Sequence, residues 1–392
     1  MKKCLKILLI LVIAVIVGLF CLYRYLECNP IPITLGGGPS GPRPERCYVK
    51  QKEQQRKINM AKLEQLAALE FTCQKEARPP LSEETQQLYN YALYHDLHNM
   101  WEGDKGDEVW NGLARYYRIA AANGDYKANV RLQYLLQTGR ISSDLPQTEV
   151  HNLNEELVKQ LPATAYYNLY GYLDIGYGVR TEKDGQYAYL RKAADLGSRE
   201  AQYVIAEMLF DIEDKEETQE AFKYRLKLVQ QLRTCASEQG VGDASSNLGS
   251  SFKFNKKYIE AVKSYHQGVK NGDSISALVL SHAFEKGMQA DNLNFLDVSP
   301  DDERVKRYNM ISSYLSRYDY LHPKVPDLDD IVPLPPAPLP EWDGKIAFQR
   351  WYEGDAPPKP SEALMMKLAN QAGVRVDNGL DLETGLPKKP KK

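Results

Sequence analysis

The sequence predicts an all-α protein: an α-solenoid of helix–turn–helix repeats with an N-terminal transmembrane helix and a proline-rich, irregular C-terminal cap. Three observations predict this class. Small residues, large apolar residues and turn residues recur in a fixed order through the middle of the chain. A continuous apolar run stands near the N-terminus, and proline becomes frequent after residue 320. We expect five segments: a membrane anchor (1–28), a Gly/Pro linker (29–46), a membrane-proximal helix and connection (47–84), the solenoid (85–320), and a proline-rich cap with a Lys-rich tail (321–392).

The composition is that of a globular protein without an excess of either charge. Of the 392 residues, 43% are apolar, and 50 Lys and Arg nearly balance 52 Asp and Glu, so the formal net charge is -2. This balance argues against a nucleic-acid partner, because nucleic-acid-binding proteins usually carry a strong basic excess. Tyrosine outnumbers phenylalanine by 26 to 9. That ratio suits a protein-binding surface, because a tyrosine ring packs while its hydroxyl stays hydrated.

The first apolar run predicts a membrane anchor. The run from Ile7 to Tyr23 is continuously apolar, and residues 5–26 are long enough to cross a hydrocarbon core of about 30 Å. Three lysines precede the run, which predicts a cytoplasmic N-terminus and an exported remainder. A cleaved signal peptide is the alternative, but no pair of small residues stands at the required spacing between Phe20 and Pro30. We expect a single-pass protein of the bacterial inner membrane whose C-terminal bulk lies in the periplasm.

A Gly- and Pro-rich stretch follows the anchor. It contains the spacing G-x-G-x-x-G at Gly36, Gly38 and Gly41, but a dinucleotide site needs a helix to open at the third glycine. Pro42 and Pro44 stand there instead, so the stretch predicts a linker.

Four cysteines would reach an oxidising compartment: Cys28, Cys47, Cys73 and Cys235. They allow three complete pairings. The residues between Cys47 and Cys73 are predicted to form one long helix of about 35 Å, whereas the Cα atoms of a disulfide lie within about 7 Å of each other. Those two cysteines should therefore not pair within one chain, and the other pairings stay open.

A repeat runs through the middle of the chain: a small residue, a large apolar residue four positions later, and a turn residue eleven positions later. Its five starting residues are 37, 36, 43 and 32 positions apart. The order is explained by helices that end at a left-handed glycine and then pack a small residue closely against the preceding helix. The repeat-structural residues are Ala128, Leu132, Gly139, Ala165, Leu169, Gly176, Gly178, Gly197, Ala201, Gly240, Ala244 and Gly272.

These residues resemble Sel-one-like repeats, the bacterial relatives of tetratricopeptide repeats, over about residues 85–320. The unit that resembles them best contains Ala165-Tyr166-Tyr167-Asn168-Leu169 and Gly176-Tyr177-Gly178-Val179. The resemblance implies an α-solenoid with a concave binding surface and a function in protein binding. Tyr166 and Tyr170 are aromatic where the repeat does not require it, so they are candidate partner-binding residues.

The C-terminal segment carries a second resemblance. Its runs Asp329-Asp330-Ile331-Val332-Pro333-Leu334-Pro335-Pro336-Ala337 and Trp342-Asp343-Gly344 are similar to the proline-rich region of Sel-one-like proteins encoded beside type VI secretion toxins, often lipases. That resemblance implies an immunity protein. Two compatible interpretations stay open: a cap that seals the last repeat, and direct partner contact through Trp342, Trp351 and Tyr352.

The patterns that could carry chemistry are incomplete. His322, Lys324 and Asp329 fit the H-x-K-x-x-x-x-D signature of phospholipase D enzymes. A working site normally needs a second copy, and prolines interrupt the strand that should present these residues. His95 and His98 could share a helix face, but no carboxylate pattern completes a metal site. We expect no catalytic, metal-binding or cofactor-binding residues, and no enzymatic activity.

The sequence thus predicts a periplasmic immunity protein that binds and occludes a type VI secretion effector, a phospholipase. The alternative is an envelope-anchored repeat scaffold or regulator with a different protein partner, and a phosphodiesterase that uses His322 is the least favoured interpretation. The acidic run from Asp211 to Glu217 is interpreted as a solvated loop, which could otherwise meet a basic patch on a partner.

A topology reporter tests the anchor. A reporter that is active only in the periplasm should be active when fused after Met60, because the lysines before the apolar run hold the N-terminus in the cytoplasm. The mature protein should also keep the mass of the uncleaved chain. Activity of a cytoplasm-specific reporter at the same position would contradict this topology.

Overall fold

The computed structural model describes residues 71–100, 104–213, 217 and 219–390. Twelve helices come first in these ranges: α1 (Glu83–His98), α2 (Asp104–Ala122), α3 (Tyr126–Gln137), α4 (Pro146–Val158), α5 (Pro162–Ile175), α6 (Gln186–Asp195), α7 (Arg199–Phe210), α8 (Gln219–Glu238), α9 (Gly242–Phe254), α10 (Tyr258–Lys270), α11 (Ser274–Ala283) and α12 (Asp302–Arg317). A 3-10 helix follows at Asp319–Leu321, and then α13 (Leu328–Ile331), α14 (Ala347–Tyr352) and α15 (Glu362–Ala372). The described ranges contain no strand, only an isolated β-bridge between Val374 and Asp381.

The helices α1 to α12 form an array in which each helix packs on its neighbours in chain order. The described part of the chain is therefore all-helical, as predicted, and its helices stack as those of a solenoid do. These residues belong to one compact unit, Leu69–Lys392.

The segments predicted for the N-terminal part of the chain lie outside this unit or at its edge. The anchor, the Gly/Pro linker and the long helix before Cys73 lie outside the described residues. Among the helices that the structure does describe, none combines the length and the apolar character needed to cross a bilayer.

Small residues set the distance between neighbouring helices. Ala128, Ala165, Ala201 and Ala244 lie in the first turns of α3, α5, α7 and α9, and none of them has any exposed surface. Side chains of this size let helix backbones approach closely. The large apolar residues four positions later are buried in most units, with Leu132 fully covered, although the equivalent residue of α5, Leu169, is only half-buried.

The turns of the array use left-handed glycines. Positive φ angles occur at six of the glycines that the repeat pattern contains: Gly139, Gly176, Gly178, Gly197, Gly240 and Gly272. At three turns between helix pairs, the residue after the glycine caps the next helix, because the side chains of Asp125, Ser198 and Asp273 each accept an N–H hydrogen bond from the first turn. At these three turns one helix stops and the next begins within a few residues.

An extended segment before α1 crosses the turns between repeats. Cys73 forms a disulfide with Cys235 near the end of α8, with 5.6 Å between their Cα atoms. This pairing is one of those that the sequence left open, and Cys28 and Cys47 lie outside the described residues. We call residues 73–76 the strap.

The strap is held by polar contacts at successive helices. The Gln74 carbonyl accepts a hydrogen bond from Gln202 Nε2 in α7 at 2.9 Å. The Glu76 carboxylate accepts the N–H groups of Ala163 at 2.6 Å and Thr164 at 3.2 Å. These donors belong to the first turn of α5, where unpaired N–H groups and the helix dipole favour an anion.

The C-terminal segment first covers the end of the array. Val325, Leu328 and Ile346 lie in one buried cluster with Tyr308 of α12. Asp329 extends this attachment, because its carboxylate accepts a hydrogen bond from His266 Nε2 in α10 at 2.7 Å. The segment therefore seals the last helix pair.

The same segment then reaches the beginning of the array. Met365 and Leu368 of α15 belong to a buried cluster with Tyr117 of α2. An ion pair of 2.6 Å joins Lys367 to Glu84 in α1. The segment thus contributes to the apolar clusters at both ends of the array, and it does more than cap the last repeat.

Two features require glycine at position 197: the left-handed backbone of the turn and the close approach of the strap. The φ angle of Gly197 is +102°, and a Cβ added there would lie 2.6 Å from the backbone nitrogen of Glu76. Gly139 offers a matched comparison, since its φ is +74° but nothing lies within 4 Å of an added Cβ.

Gly197→Ala should therefore destabilise the protein more than Gly139→Ala. The left-handed backbone costs each variant about 1 kcal/mol, and Gly197→Ala must also displace the strap, at a further cost of about 1–3 kcal/mol. Denaturant unfolding of the full-length chain measures both changes in the free energy of unfolding. Equal losses for the two variants would contradict the packing of the strap on Gly197.

Candidate protein-binding site

The length of α8 creates a groove on the array. α8 has 20 residues, whereas α6 has 10 and α10 has 13, so α8 is roughly 10 Å longer than α10 at about 1.5 Å per residue. α8 packs on α7 and α9 but only marginally on α10. In the sequence this excess is the long step between Ala201 and Ala244, with Ile212 where the other units carry a turn residue.

The groove lies between α7, α8 and α9 and has a volume of about 740 Å³. Phe210, Phe222 and Phe254 line it with 49%, 45% and 88% of their surfaces exposed, and the half-buried Leu226 adds apolar surface. We call this surface the α8 groove. Large exposed aromatic side chains grouped around a concave surface are typical of protein interfaces.

Arg225 lies in the groove, where its charge is neutralised. Its guanidinium forms a two-point ion pair with Glu217, at 2.8 and 2.6 Å. It also donates to the Leu209 carbonyl at 2.6 Å and so satisfies the C-terminal end of α7. The ring of Phe222 lies 5.3 Å from the guanidinium.

The charge of Arg233, about two turns further along α8, is neutralised in the same way. It forms a two-point ion pair with Glu207, at 2.8 and 3.0 Å, and its guanidinium lies 4.5 Å from the centre of the Phe210 ring. Burial, together with the Glu207 carboxylate, raises the pKa of Tyr203 to about 12. The neutral Tyr203 hydroxyl accepts a hydrogen bond from Asn247 Nδ2 at 3.2 Å.

Charges of opposite sign flank the groove at the ends of two helices. Asp211 and Glu213 are exposed after α7, and Lys256 and Lys257 are exposed after α9. We call these pairs the acidic bank and the basic bank. The groove thus presents aromatic rings and neutralised ion pairs between two charged flanks, an arrangement that suits the binding of an apolar surface of another protein.

The candidate residues Tyr166 and Tyr170 lie outside this groove. Both are half-buried on α5. Tyr166 stacks on Tyr189 of α6 with 6.2 Å between ring centres, and its hydroxyl accepts a hydrogen bond from Lys192 at 2.8 Å. Burial, with Asp174 nearby, raises the pKa of Tyr170 to about 12. The Tyr170 ring lies 6.0 Å from the ring of Tyr167 on its own helix and 6.3 Å from that of Tyr187 on α6.

The candidate aromatic residues of the C-terminal segment attach that segment to the array. Trp342 packs on the cluster around α12. The ring of Tyr352 stacks on His98 of α1 at 4.1 Å, and Trp351 meets Tyr94 edge-on at 6.0 Å. Trp351 keeps 37% of its surface exposed.

The phospholipase D pattern is not assembled. The Nζ of Lys324 donates a hydrogen bond to the Gly240 carbonyl at 2.9 Å, and burial with nearby Arg199 lowers the pKa of Lys324 to about 8. Asp329 is bonded to His266 as described above. Lys324 is thus bonded to the turn between α8 and α9, whereas Asp329 is bonded to α10, so the lysine and the aspartate of the pattern are held at different places on the array.

His98, the second histidine of the pair on α1, is committed to structural contacts. The two ring nitrogens of His98 lie 2.7 Å from the Tyr94 carbonyl and 2.9 Å from the Tyr352 carbonyl. Within the part of the chain that the structure describes, no three His, Cys, Asp or Glu side chains are grouped to hold a metal ion.

Sequence reasoning missed Phe210, Phe222 and Phe254. The long repeat step pointed to this unit, but exposure of a phenylalanine at a helix end depends on how far the neighbouring helices extend. The array and the α8 groove together define the class of protein: a helical-repeat protein with an exposed apolar groove.

Comparison with known proteins gives one family match. The model of a domain of unknown function (DUF6396) matches residues 276–388. No curated protein matches the sequence.

Several solved structures resemble the chain. Immunity protein PA5088 from Pseudomonas aeruginosa is 20% identical, with a TM-score of 0.49, over 69% of this chain and 95% of that one. Immunity protein Pa5087 from the same species is 23% identical, with a TM-score of 0.46, over 68% and 96%. A Sel1 repeat protein from Oxalobacter formigenes is 18% identical, with a TM-score of 0.39, over 59% and 98%.

Glu207→Ala should destabilise the protein far more than Phe254→Ala. Loss of Glu207 leaves the buried Arg233 guanidinium without its counterion, which costs about 3–5 kcal/mol. Phe254 is almost fully exposed, so its removal should change the free energy of unfolding by less than about 0.5 kcal/mol. Denaturant unfolding measures both values, and a large loss for Phe254→Ala would show that this ring packs in the fold and is not available for binding.

Proposed function

We propose that the protein is an immunity protein that binds and occludes a type VI secretion effector, a phospholipase, in the periplasm. The observation that carries the proposal is the α8 groove. Phe210, Phe222 and Phe254 are costly to leave in water, and the ion pairs beside them need no further partner. Covering such a surface with another protein therefore lowers the free energy.

The proposed location is supported by the strap. The disulfide between Cys73 and Cys235 belongs to an oxidising compartment such as the periplasm. The apolar run at residues 5–26 and the lysines before it would anchor the chain in the inner membrane, with the array on the periplasmic side. The inhibitor would then meet its toxin where the toxin acts.

The names of two compared structures suggest the biological role, since both are called immunity proteins. The proline-rich segment with Trp342-Asp343-Gly344 resembles that of immunity proteins encoded beside lipase toxins. The candidate partner is therefore a lipase toxin.

Occlusion needs affinity and not catalysis. A nanomolar dissociation constant corresponds to about -12 kcal/mol. A few aromatic anchors that become fully desolvated each contribute about 2 kcal/mol or more in typical interfaces. Three exposed phenylalanines in one groove would form the centre of such an interface.

A titration of purified lipase with the full-length protein tests the proposal. Inhibition should saturate near one protein per lipase, because protection by occlusion is stoichiometric. Loss of lipase activity at amounts far below stoichiometric would indicate catalysis instead. Tight binding to another envelope protein, without inhibition of the lipase, would favour a scaffold or regulator.

Variants connect the titration to the groove. Phe254→Asp should weaken inhibition at least tenfold, because it places a charge at the centre of an apolar interface. Leu382→Asp is a matched control, since Leu382 is 55% exposed in the C-terminal segment, and it should inhibit like the unchanged chain. Equal inhibition by both variants would remove the groove from the interface.

In cells, the anchored protein should protect against a periplasm-directed lipase. Removal of residues 1–28 should abolish protection, and a cleavable export signal in their place should restore it. His322→Ala should leave protection intact, since no step depends on this side chain.

A further inference from the structure

We infer that the α8 groove takes an amphipathic α-helix of the partner protein, with basic residues along one flank and acidic residues along the other. The basic flank would face Asp211 and Glu213, and the acidic flank would face Lys256 and Lys257. The inference rests on the proposed function in one respect, that the helix belongs to the toxin. Its chemistry follows from the groove alone.

The hydrogen-bonding state of the groove favours a helix over an extended segment. Arg225, Arg233 and Asn247 already donate to carboxylate, carbonyl and hydroxyl oxygens of this chain. The walls are helices, whose backbone groups bond within each helix. An extended peptide would therefore bury its own N–H and C=O groups without partners, whereas a helix satisfies them internally.

The packing of the array favours the same occupant. The C-terminal part of α8 lies within the stacked array, but its first turns, with Phe222 exposed, extend past the shorter α10. A partner helix placed there would continue the helix layer and bury the three phenylalanines. Its apolar residues would recur at spacings of three and four, as in other helix-in-groove interfaces.

The charged banks set which helix fits. Asp211 itself lines the groove, and Lys256 directly follows Asn255, which lines it from the side of α9. Opposite charges across an interface favour the matched partner, and like charges placed opposite each other disfavour the others. A helix with both signs on separate flanks would bind in one direction only.

Designed peptides test the groove without the toxin. The matched peptide is a stapled helix of about 18 residues with leucines at spacings of three and four, glutamates on one flank and lysines on the other. A second peptide of the same composition mixes the two charges along both flanks, and a third carries a central proline that prevents the helix. Fluorescence anisotropy with the full-length protein should show the matched peptide binding about tenfold more tightly than either control peptide.

Variants of the protein assign that binding to the groove. Phe254→Asp should abolish peptide binding, and the double variant Lys256→Glu/Lys257→Glu should remove the preference for the matched peptide. The control Lys183→Glu/Lys359→Glu changes the net charge equally at exposed sites elsewhere and should leave the preference unchanged. Equal binding of all three peptides, or no binding of any, would overturn the inference.

Cross-linking then tests the toxin as the source of the helix. A photoreactive residue in place of Phe254 should cross-link to a toxin segment with apolar residues at helical spacing. Cross-links to a second copy of this protein, or to an extended toxin segment, would overturn the inference. If the toxin is inhibited but does not cross-link at this position, the proposed function stands and the groove is rejected as the binding site. If the protein prefers the matched peptide but does not inhibit the toxin, only the proposed function is rejected.

Discussion

The packing of one C-terminal segment on both ends of the helix array is the interaction on which the rest of the structure depends. Helices that stack in chain order leave an apolar face at each end, and repeat proteins must cover these faces to stay soluble. Here Leu328 and Ile346 cover the last helix pair, and Met365 and Leu368 cover α2. The matched family domain, residues 276–388, therefore makes part of its core with helices that lie outside it.

The strap adds a second constraint that crosses several helix pairs. Cys73 is bonded covalently to α8, while Glu76 occupies the N-terminus of α5. A link between residues so far apart in the chain restricts the unfolded state more than the folded one, and typically stabilises by about 2–4 kcal/mol. The strap backbone lies so close to Gly197 that a side chain would not fit there, which gives this glycine a reason beyond its φ angle.

The α8 groove differs from the ends of the array, because its apolar side chains are not covered by other parts of the chain that the structure describes. The chain covers the ends of its array, yet it leaves Phe254 almost entirely in solvent. The neighbouring arginines are held by carboxylates of the same chain, so the groove is organised before any partner arrives. A preorganised surface loses less conformational entropy on binding, which favours affinity.

Local patterns determined the helical fold of this protein. Residue spacing alone predicts the small residues that start each repeat and the glycines that end helices, because both depend on backbone geometry within a few residues. The partner of Cys73 and the second destination of the C-terminal segment depend on contacts between residues far apart in the chain. The exposure of Phe254 also depends on such contacts, because α8 and α10 differ in length. A side chain at a helix end is buried or exposed according to where the neighbouring helices stop.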